Sequence, residues 1–461
     1  MEPIKYYSTN LNADDVTFSE ALLKGLAPDK GLYMPREIPT FSKEEIKSFS
    51  QKKYYEIAFE VLNKFLVGQI REYELLELVK DAYDFSVPLE KGYENKYVMR
   101  LDHGPTASFK DFAARMMGRL MNYYIKKDKR KLLILTATSG DTGSAIANAF
   151  YGLDNIKVLV LFPDGEVTDR QRKQMTTLGE NIQVISLKGK FDDCQALVKE
   201  AFADSDLDYL GLSSANSINI GRLIPQIVYY FYSFSRLRKP ANQAGESEEN
   251  DDVIFSVPSG NFGDMMGGVF AKHMGLPIKK FIISVNENDE FPNFLETGKY
   301  NKIEPSKNCL SSAMNVGHPS NLARLVALYG GVMDEKGEIS KAPDMDKMRN
   351  EIYSKSISDL ETKEMIHIAY DEHELILEPH GAVGWKGLMD YCEEFDVDME
   401  QLCISLETAH PAKFPAEIIE ILKFDPELPE SLKGLEKKKE FFDNLDKNYL
   451  DFKNYLISNY K

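Results

Sequence analysis

The sequence predicts an α/β fold, with two lobes built on parallel-rich sheets behind a mostly helical N-terminal domain, and three observations carry that prediction. From about residue 130 onward short apolar runs alternate with helix-length amphipathic segments, the rhythm of βα units whose strands are buried on both faces. Residues before about 95 instead show helix-period apolar positions behind capping boxes. The chain has 461 residues, 43 % of them hydrophobic and 11 % aromatic, enough to bury several cores and too much for a disordered or disulfide-stapled chain.

In chain order, Thr17 with Glu20 and Ser42 with Glu45 open helices, and Ala27-Pro-Asp-Lys-Gly31 is turn chemistry between them. Strands are predicted at Lys131–Ala137, Ile156–Phe162, Ile182–Leu187, Val253–Val257, Lys280–Val285 and Leu402–Leu406. The stretch Lys239–Asp252, with Pro240, Gly245 and five acidic residues, can bury nothing and reads as an exposed excursion. Beyond about 425, Pro429 and the run Glu436-Lys-Lys-Lys-Glu440 lead into amphipathic helical sequence. The expected organisation is an N-terminal domain at 1–95, a catalytic core of two lobes at 96–425 with the smaller lobe at roughly 130–235, and a helical extension at 426–461.

Lys and Arg number 56 against 73 Asp and Glu, a formal charge of −17 that repels nucleic-acid phosphates and anionic lipid. Nucleic acid and a membrane are therefore not expected as partners, and no obligate protein partner is evident. Cys194, Cys309, Cys392 and Cys403 are scattered, without C-x-x-C pairs or histidines at zinc spacing, so neither a disulfide framework nor a metal is signalled. With no signal-like start and no apolar run near the ~20 residues a bilayer demands, a cytoplasmic protein is expected.

Chemistry is expected where strands end in small-residue turns that open helices. One is Thr136-Ala-Thr-Ser-Gly-Asp-Thr-Gly143, whose hydroxyls and unpaired N–H groups suit a carboxylate or phosphate. Another is Val257-Pro-Ser-Gly-Asn-Phe-Gly-Asp264, whose glycines let backbone wrap an anion. Neither is a G-x-G-x-x-G turn, and Gly189-Lys190 and Gly298-Lys299 lack the rest of a Walker loop, which disfavours nicotinamide and NTP chemistry. In His103-Gly-Pro-Thr-Ala-Ser-Phe-Lys-Asp111, Lys110 falls at the start of a helix, where desolvation would disfavour its ammonium form, as an imine-forming amine requires.

That last segment resembles the pyridoxal-phosphate lysine motif of threonine synthases. Further segments are similar to the same family in order: Tyr7-Ser-Thr9, Val16-Thr-Phe-Ser-Glu-Ala21, Gly25-Leu-Ala-Pro-Asp-Lys-Gly-Leu-Tyr33 with Met34-Pro35, Ser139-Gly-Asp-Thr-Gly143, Phe191-Asp-Asp-Cys-Gln195, Ser214-Ala-Asn-Ser-Ile-Asn219 with Arg222, Ser259-Gly-Asn-Phe-Gly-Asp264, Glu378-Pro-His-Gly-Ala382 and Glu407-Thr-Ala-His-Pro-Ala-Lys413. The resemblance implies a fold-type II pyridoxal 5'-phosphate enzyme converting O-phosphohomoserine and water to threonine and phosphate. It also implies roles. Lys110 would carry the cofactor covalently and do most of the proton transfer, while Ser259, Gly260, Asn261, Phe262 and Gly263 would hold the cofactor phosphate. Thr408 would face the pyridine nitrogen, with Glu407 turned to the opposite face, and Asp141 would lie near the phenolic oxygen. Thr138, Ser139 and Thr142 would receive the substrate carboxylate. Arg222 would be the cation for the substrate phosphate, with Asn216, Ser217, Asn219, His103, Thr106 and Ser108 as candidate donors. His380 and His410 lie in family-like motifs without a derived role.

The chain departs from the family pattern at Ser108, where long-form members usually carry alanine, and at Asp29-Lys-Gly31, where Asp-Gly-Gly is commoner. Neither departure removes a group that the reaction needs.

Overall fold

A computed structural model of the chain describes residues 2–238 and 252–460, so the expected acidic excursion lies, but for Asp252, outside the described residues. Two sheets organise the molecule. The larger has six strands in the order Ile352–Ser356, Ile278–Val285, Val253–Pro258, Leu402–Glu407, Lys96–Arg100 and Leu89–Lys91. Its strands run parallel except for the final hairpin of Leu89–Lys91 with Lys96–Arg100. The smaller has five parallel strands in the order Asp443–Asp446, Ile182–Lys188, Ile156–Pro163, Leu132–Ala137 and Leu212–Ser213. Central strands such as Val253–Pro258 and Leu402–Glu407 are buried at every residue, because helices cover both faces of their sheet.

The N-terminal segment carries the helices Phe18–Lys24, Lys43–Ser48, Tyr54–Leu66 and Glu72–Ala82. Thr17 and Glu20, and Ser42 and Glu45, form the anticipated reciprocal caps. The segment also holds a short antiparallel pair, Tyr6–Ser8 with Tyr33–Pro35, whose three-residue strands are too brief for a period to show. Its helices pack into the same apolar core as the larger lobe.

The C-terminal stretch differs from the helical extension expected of it. Asp443–Asp446 adds a parallel strand to the edge of the smaller sheet, and only then does the helix Tyr449–Asn459 follow, burying Phe452 and Leu456 against Leu187 and Leu197. Asp-Asn-Leu-Asp has poor strand propensity and no buried face, so the edge pairing itself, invisible in one segment's composition, makes it a strand.

Candidate functional site

The site forms where strands of both sheets reach their C-terminal ends, the usual ligand position in open α/β sheets. Lys96–Arg100 runs into the loop before Lys110, which begins the helix Lys110–Asp128. That loop is held by Asp111, whose carboxylate accepts from Thr106 N at 2.8 Å and Thr106 Oγ1 at 2.6 Å. Glycine is required at 104, since a Cβ there would sit 2.4 Å from Asp111 Oδ2. The side chain of Lys110 is only 12 % exposed, and its Nζ lies 3.5 Å from Asp141 Oδ2. Burial lowers its pKa, and repulsion from Lys413 and Arg222 adds to the effect while Asp141 and Glu378 oppose it.

Asp141 opens the helix Asp141–Phe150. Its Oδ1 accepts from Gln171 Nε2 at 2.8 Å and lies 2.7 Å from Lys413 Nζ. Burial alone would raise this carboxyl, but Lys413 and Lys110 overcome burial and hold it well below the ordinary range. Thr138 Oγ1 accepts from Gly140 N and Gly143 N at 2.9 and 2.8 Å, folding the turn so that the N–H groups of Ser139, Asp141 and Thr142 donate to no other described residue. Ser139 is exposed and Thr142 half-buried at this rim.

The turn after Val253–Pro258 likewise leaves backbone N–H groups open at a helix start. Phe262 takes a left-handed φ of 61° before the helix Gly263–His273, with its ring against Phe291. Among the described residues, the N–H groups of Gly260, Asn261, Phe262 and Gly263 have no acceptor. Ser320 Oγ donates to Asn261 Oδ1 at 2.9 Å, and Asn321 Nδ2 donates to Asn261 O at 2.9 Å and Ser217 O at 3.3 Å, joining this turn to the 214–222 segment. Ser259 is buried with its hydroxyl on Val257 O. Burial pushes the Asp264 carboxyl up to about 6.

Within the 214–222 segment, Arg222 is buried and Nη1 donates to Ala215 O at 2.7 Å, while its Nε has no partner among the described residues. Burial pushes it down to about 10. The Ser108 hydroxyl is likewise buried without a partner among the described residues. These orphaned donors suit an anion. Two of the other expected donors are engaged within the protein: Asn219 Nδ2 donates to Leu22 O at 2.8 Å while its Oδ1 accepts from Gly221 N, and Thr106 Oγ1 donates to Asp111 Oδ1 at 2.6 Å. Asn216 is held through its oxygen, Oδ1 accepting from Thr136 Oγ1 at 3.2 Å. Ser217 is half-buried; His103 is exposed, with Nδ1 3.3 Å from Ser86 Oγ.

The acid beside Thr408 is not Glu407 but Glu378, thirty positions earlier in the chain. Thr408 Oγ1 donates to Glu378 Oε1 at 3.2 Å. Glu378 also caps the helix Pro379–Glu394, accepting from His380 N at 2.8 Å and Gly381 N at 3.1 Å, and His380 Nδ1 bonds its Oε2. His380 Nε2 accepts from Ala313 N at 3.0 Å, so the imidazole is neutral with its hydrogen on Nδ1. Glu407, meanwhile, accepts from Glu378 N at 2.8 Å, and burial beside Glu378 raises its pKa well above the ordinary range. The His410 imidazole is pushed down to about 4 by burial. Lys413 and Glu378 had no assigned task in the sequence; only their place in the motifs 378–382 and 407–413 could have marked them.

Sequence profiles of three families match the chain: one described as the threonine synthase N terminus over residues 5–83, one as pyridoxal-phosphate dependent enzyme over 88–405, and one as threonine synthase, C-terminal, over 381–456. A threonine synthase from Haemophilus influenzae is 38 % identical, over 98 % of this chain and 99 % of that protein. One from Buchnera aphidicola subsp. Acyrthosiphon pisum is 38 % identical over 94 % of each. The crystal structure of a PLP-bound threonine synthase from Brucella melitensis superposes with a TM-score of 0.90 at 36 % identity, covering 99 % of this chain and 100 % of that one.

Proposed function

This chain belongs to the threonine synthase family of pyridoxal-phosphate-dependent enzymes, and from that premise we propose how its crevice converts O-phosphohomoserine and water to threonine and phosphate. The residues present fit the cofactor. An amine with a lowered pKa suits its aldehyde, and the four N–H groups at Gly260–Gly263 that have no acceptor among the described residues, ahead of a helix N-terminus, suit its phosphate. Thr408 Oγ1 gives its hydrogen to Glu378 and so offers a ring nitrogen only lone pairs. This differs from a hydroxyl left free to donate.

When bound, pyridoxal phosphate supplies an electron sink for the charge left on a substrate carbon that loses a proton. The chain's own residues do the rest. The N–H groups of Ser139, Asp141 and Thr142 hold the substrate carboxylate at a helix N-terminus. Arg222 and the Ser108 hydroxyl grip the leaving phosphate, since each has a buried donor still to satisfy. Lys110 Nζ would take the proton from Cα, hand it on, and only then, as a neutral amine again, take a second from Cβ as the Cγ–O bond breaks and phosphate departs. Water adds at Cβ, and protons return to Cγ and Cα. A flexible four-carbon stem allows one base to serve several carbons. Asp141 holds the amine within reach of them.

The observation that carries this reading is the convergence on the Lys110 amine of two N–H-lined helix starts, those of Asp141 and Asp264, and of an arginine whose Nε has no partner among the described residues. Incubation with O-phosphohomoserine should release phosphate and threonine in equal amounts. Phosphate without threonine, or 2-oxobutyrate in its place, would contradict it. The same reading places the enzyme in the cytoplasm, where its four cysteines stay unpaired.

A further inference from the structure

Lys413 has no part in the steps above, yet its side chain is wholly buried. Its Nζ donates to Thr106 O at 2.8 Å and lies 2.7 Å from Asp141 Oδ1, while the other oxygen of that carboxylate stands 3.5 Å from Lys110. Two ammonium groups thus face one acid. Withdrawing an ammonium from water is costly, and a neutral donor could have served the Thr106 carbonyl, so packing alone does not account for a charge at this place.

We propose that Lys413 is a positioning residue whose charge, acting through the shared carboxylate of Asp141, leaves the Lys110 amine free to give up its proton and join the cofactor aldehyde. The inference rests on Lys110 being the cofactor-bearing lysine. Joining the amine nitrogen to an aldehyde carbon uses the nitrogen lone pair and releases one water. An ammonium has no lone pair to give, so its proton must first pass to solvent. One carboxylate neutralises one ammonium. With Lys413 in the closer contact, Lys110 has only the longer leg of a shared acid, and Lys413 and Arg222 repel its charge.

The remaining charges facing Lys110 are Glu378 and Asp264, the first already accepting from His380, Gly381 and Thr408 and the second from Met265 N at 2.8 Å. Asp111 and His410 lie toward Lys413. If Lys413 lost its charge, Asp141 and Lys110 would form an exclusive pair that holds the proton on the amine.

The test uses the full-length chain stripped of cofactor and mixed with pyridoxal 5'-phosphate across a pH series. Covalent capture is followed by the yellow absorbance and, after borohydride, by the mass of the labelled peptide. K413Q keeps a donor for Thr106 O and Asp141 but no charge; K413R keeps the charge. If glutamine prevents folding, K413M replaces it, with thermal melts for every variant. The pH midpoint of the capture rate should rise in K413Q by about one unit, making capture about tenfold slower below the midpoint, and should stay near wild type in K413R. An unmoved midpoint in K413Q overturns the proposal even if the variant melts earlier, because a lysine that only supports the loop changes stability and not this pH profile. A borohydride label on a lysine other than 110 overturns the reading beneath it, a result distinct from either midpoint.

Discussion

At the scale of single residues, Arg222 carries the sharpest expectation. Its buried Nε lacks a partner among the described residues and Nη1 already holds the Ala215 carbonyl, so in the proposed role a substrate phosphate would complete rather than rearrange its bonding. Arg222→Ala should lower kcat/KM by about 2–3 kcal/mol, or roughly 30- to 160-fold, through lost charge-assisted hydrogen bonds. Steady-state kinetics with O-phosphohomoserine measure this, and an unchanged kcat/KM removes Arg222 from the site. Glu407 makes a different prediction. Its native pKa lies above the unfolded one, so the native state keeps a proton that the unfolded chain releases as pH rises, and stability falls across that interval. Each pH unit of it costs about 1.4 kcal/mol. Glu407→Gln keeps an acceptor for Glu378 N and cannot ionise. Its melting temperature relative to wild type should therefore climb as pH rises above the ordinary glutamate range, and a constant difference would show that Glu407 ionises as an exposed acid does.

Much of the site at this scale was legible because chemistry and chain position coincide: Lys110, Asp141 and the Gly260–Gly263 turn each sit at a helix start. Pairings across long sequence distances were not. Nothing near Thr408 in sequence names Glu378 as its partner: the adjacent acid is Glu407, which strand alternation turns to the opposite face. Nor does sequence reveal that the Asn219 amide donates to Leu22 O, or that Thr136 Oγ1 donates to Asn216 Oδ1, which leaves fewer free donors around Arg222 than residue types alone suggest.

At the scale of elements, the strands of both sheet centres stand within a residue or two of their apolar runs, since a strand buried on both faces writes itself as continuous hydrophobicity. Edge strands do not. Ile352–Ser356 is half-buried along most of its length and Asp443–Asp446 mostly exposed, and each is a strand because of what it pairs with. The helix after that last strand, Tyr449–Asn459, closes a separate apolar cluster through Phe452 and Leu456, both fully buried. Phe452→Ala should cost about 3–5 kcal/mol of stability in the smaller lobe, seen as an earlier denaturant midpoint. A loss below about 1 kcal/mol would mean that the helix is only loosely attached.

At the scale of the whole molecule, the N-terminal segment is tied into the crevice. Leu22 O holds Asn219, Gly221 lies so close to Leu22 that a Cβ would stand 2.2 Å from its Cδ1, and the buried Arg324 donates to Tyr33 O, Ile218 O and Asn321 Oδ1. Asn321 in turn holds the Asn261 and Ser217 carbonyls. The N-terminal segment is thus joined to the segment that carries Arg222, and Lys110→Ala should abolish turnover while leaving the melting temperature within a few degrees, because the mostly buried Lys110 side chain lies outside the apolar core and Asp141 keeps Lys413 as a partner.

The most direct test of that centre is borohydride reduction of the holoenzyme followed by peptide mass mapping. Two lysines flank Asp141, and the cofactor mass should be found on Lys110 alone, with Lys413 unmodified. A label on Lys413, or on any lysine outside the crevice, would contradict the account.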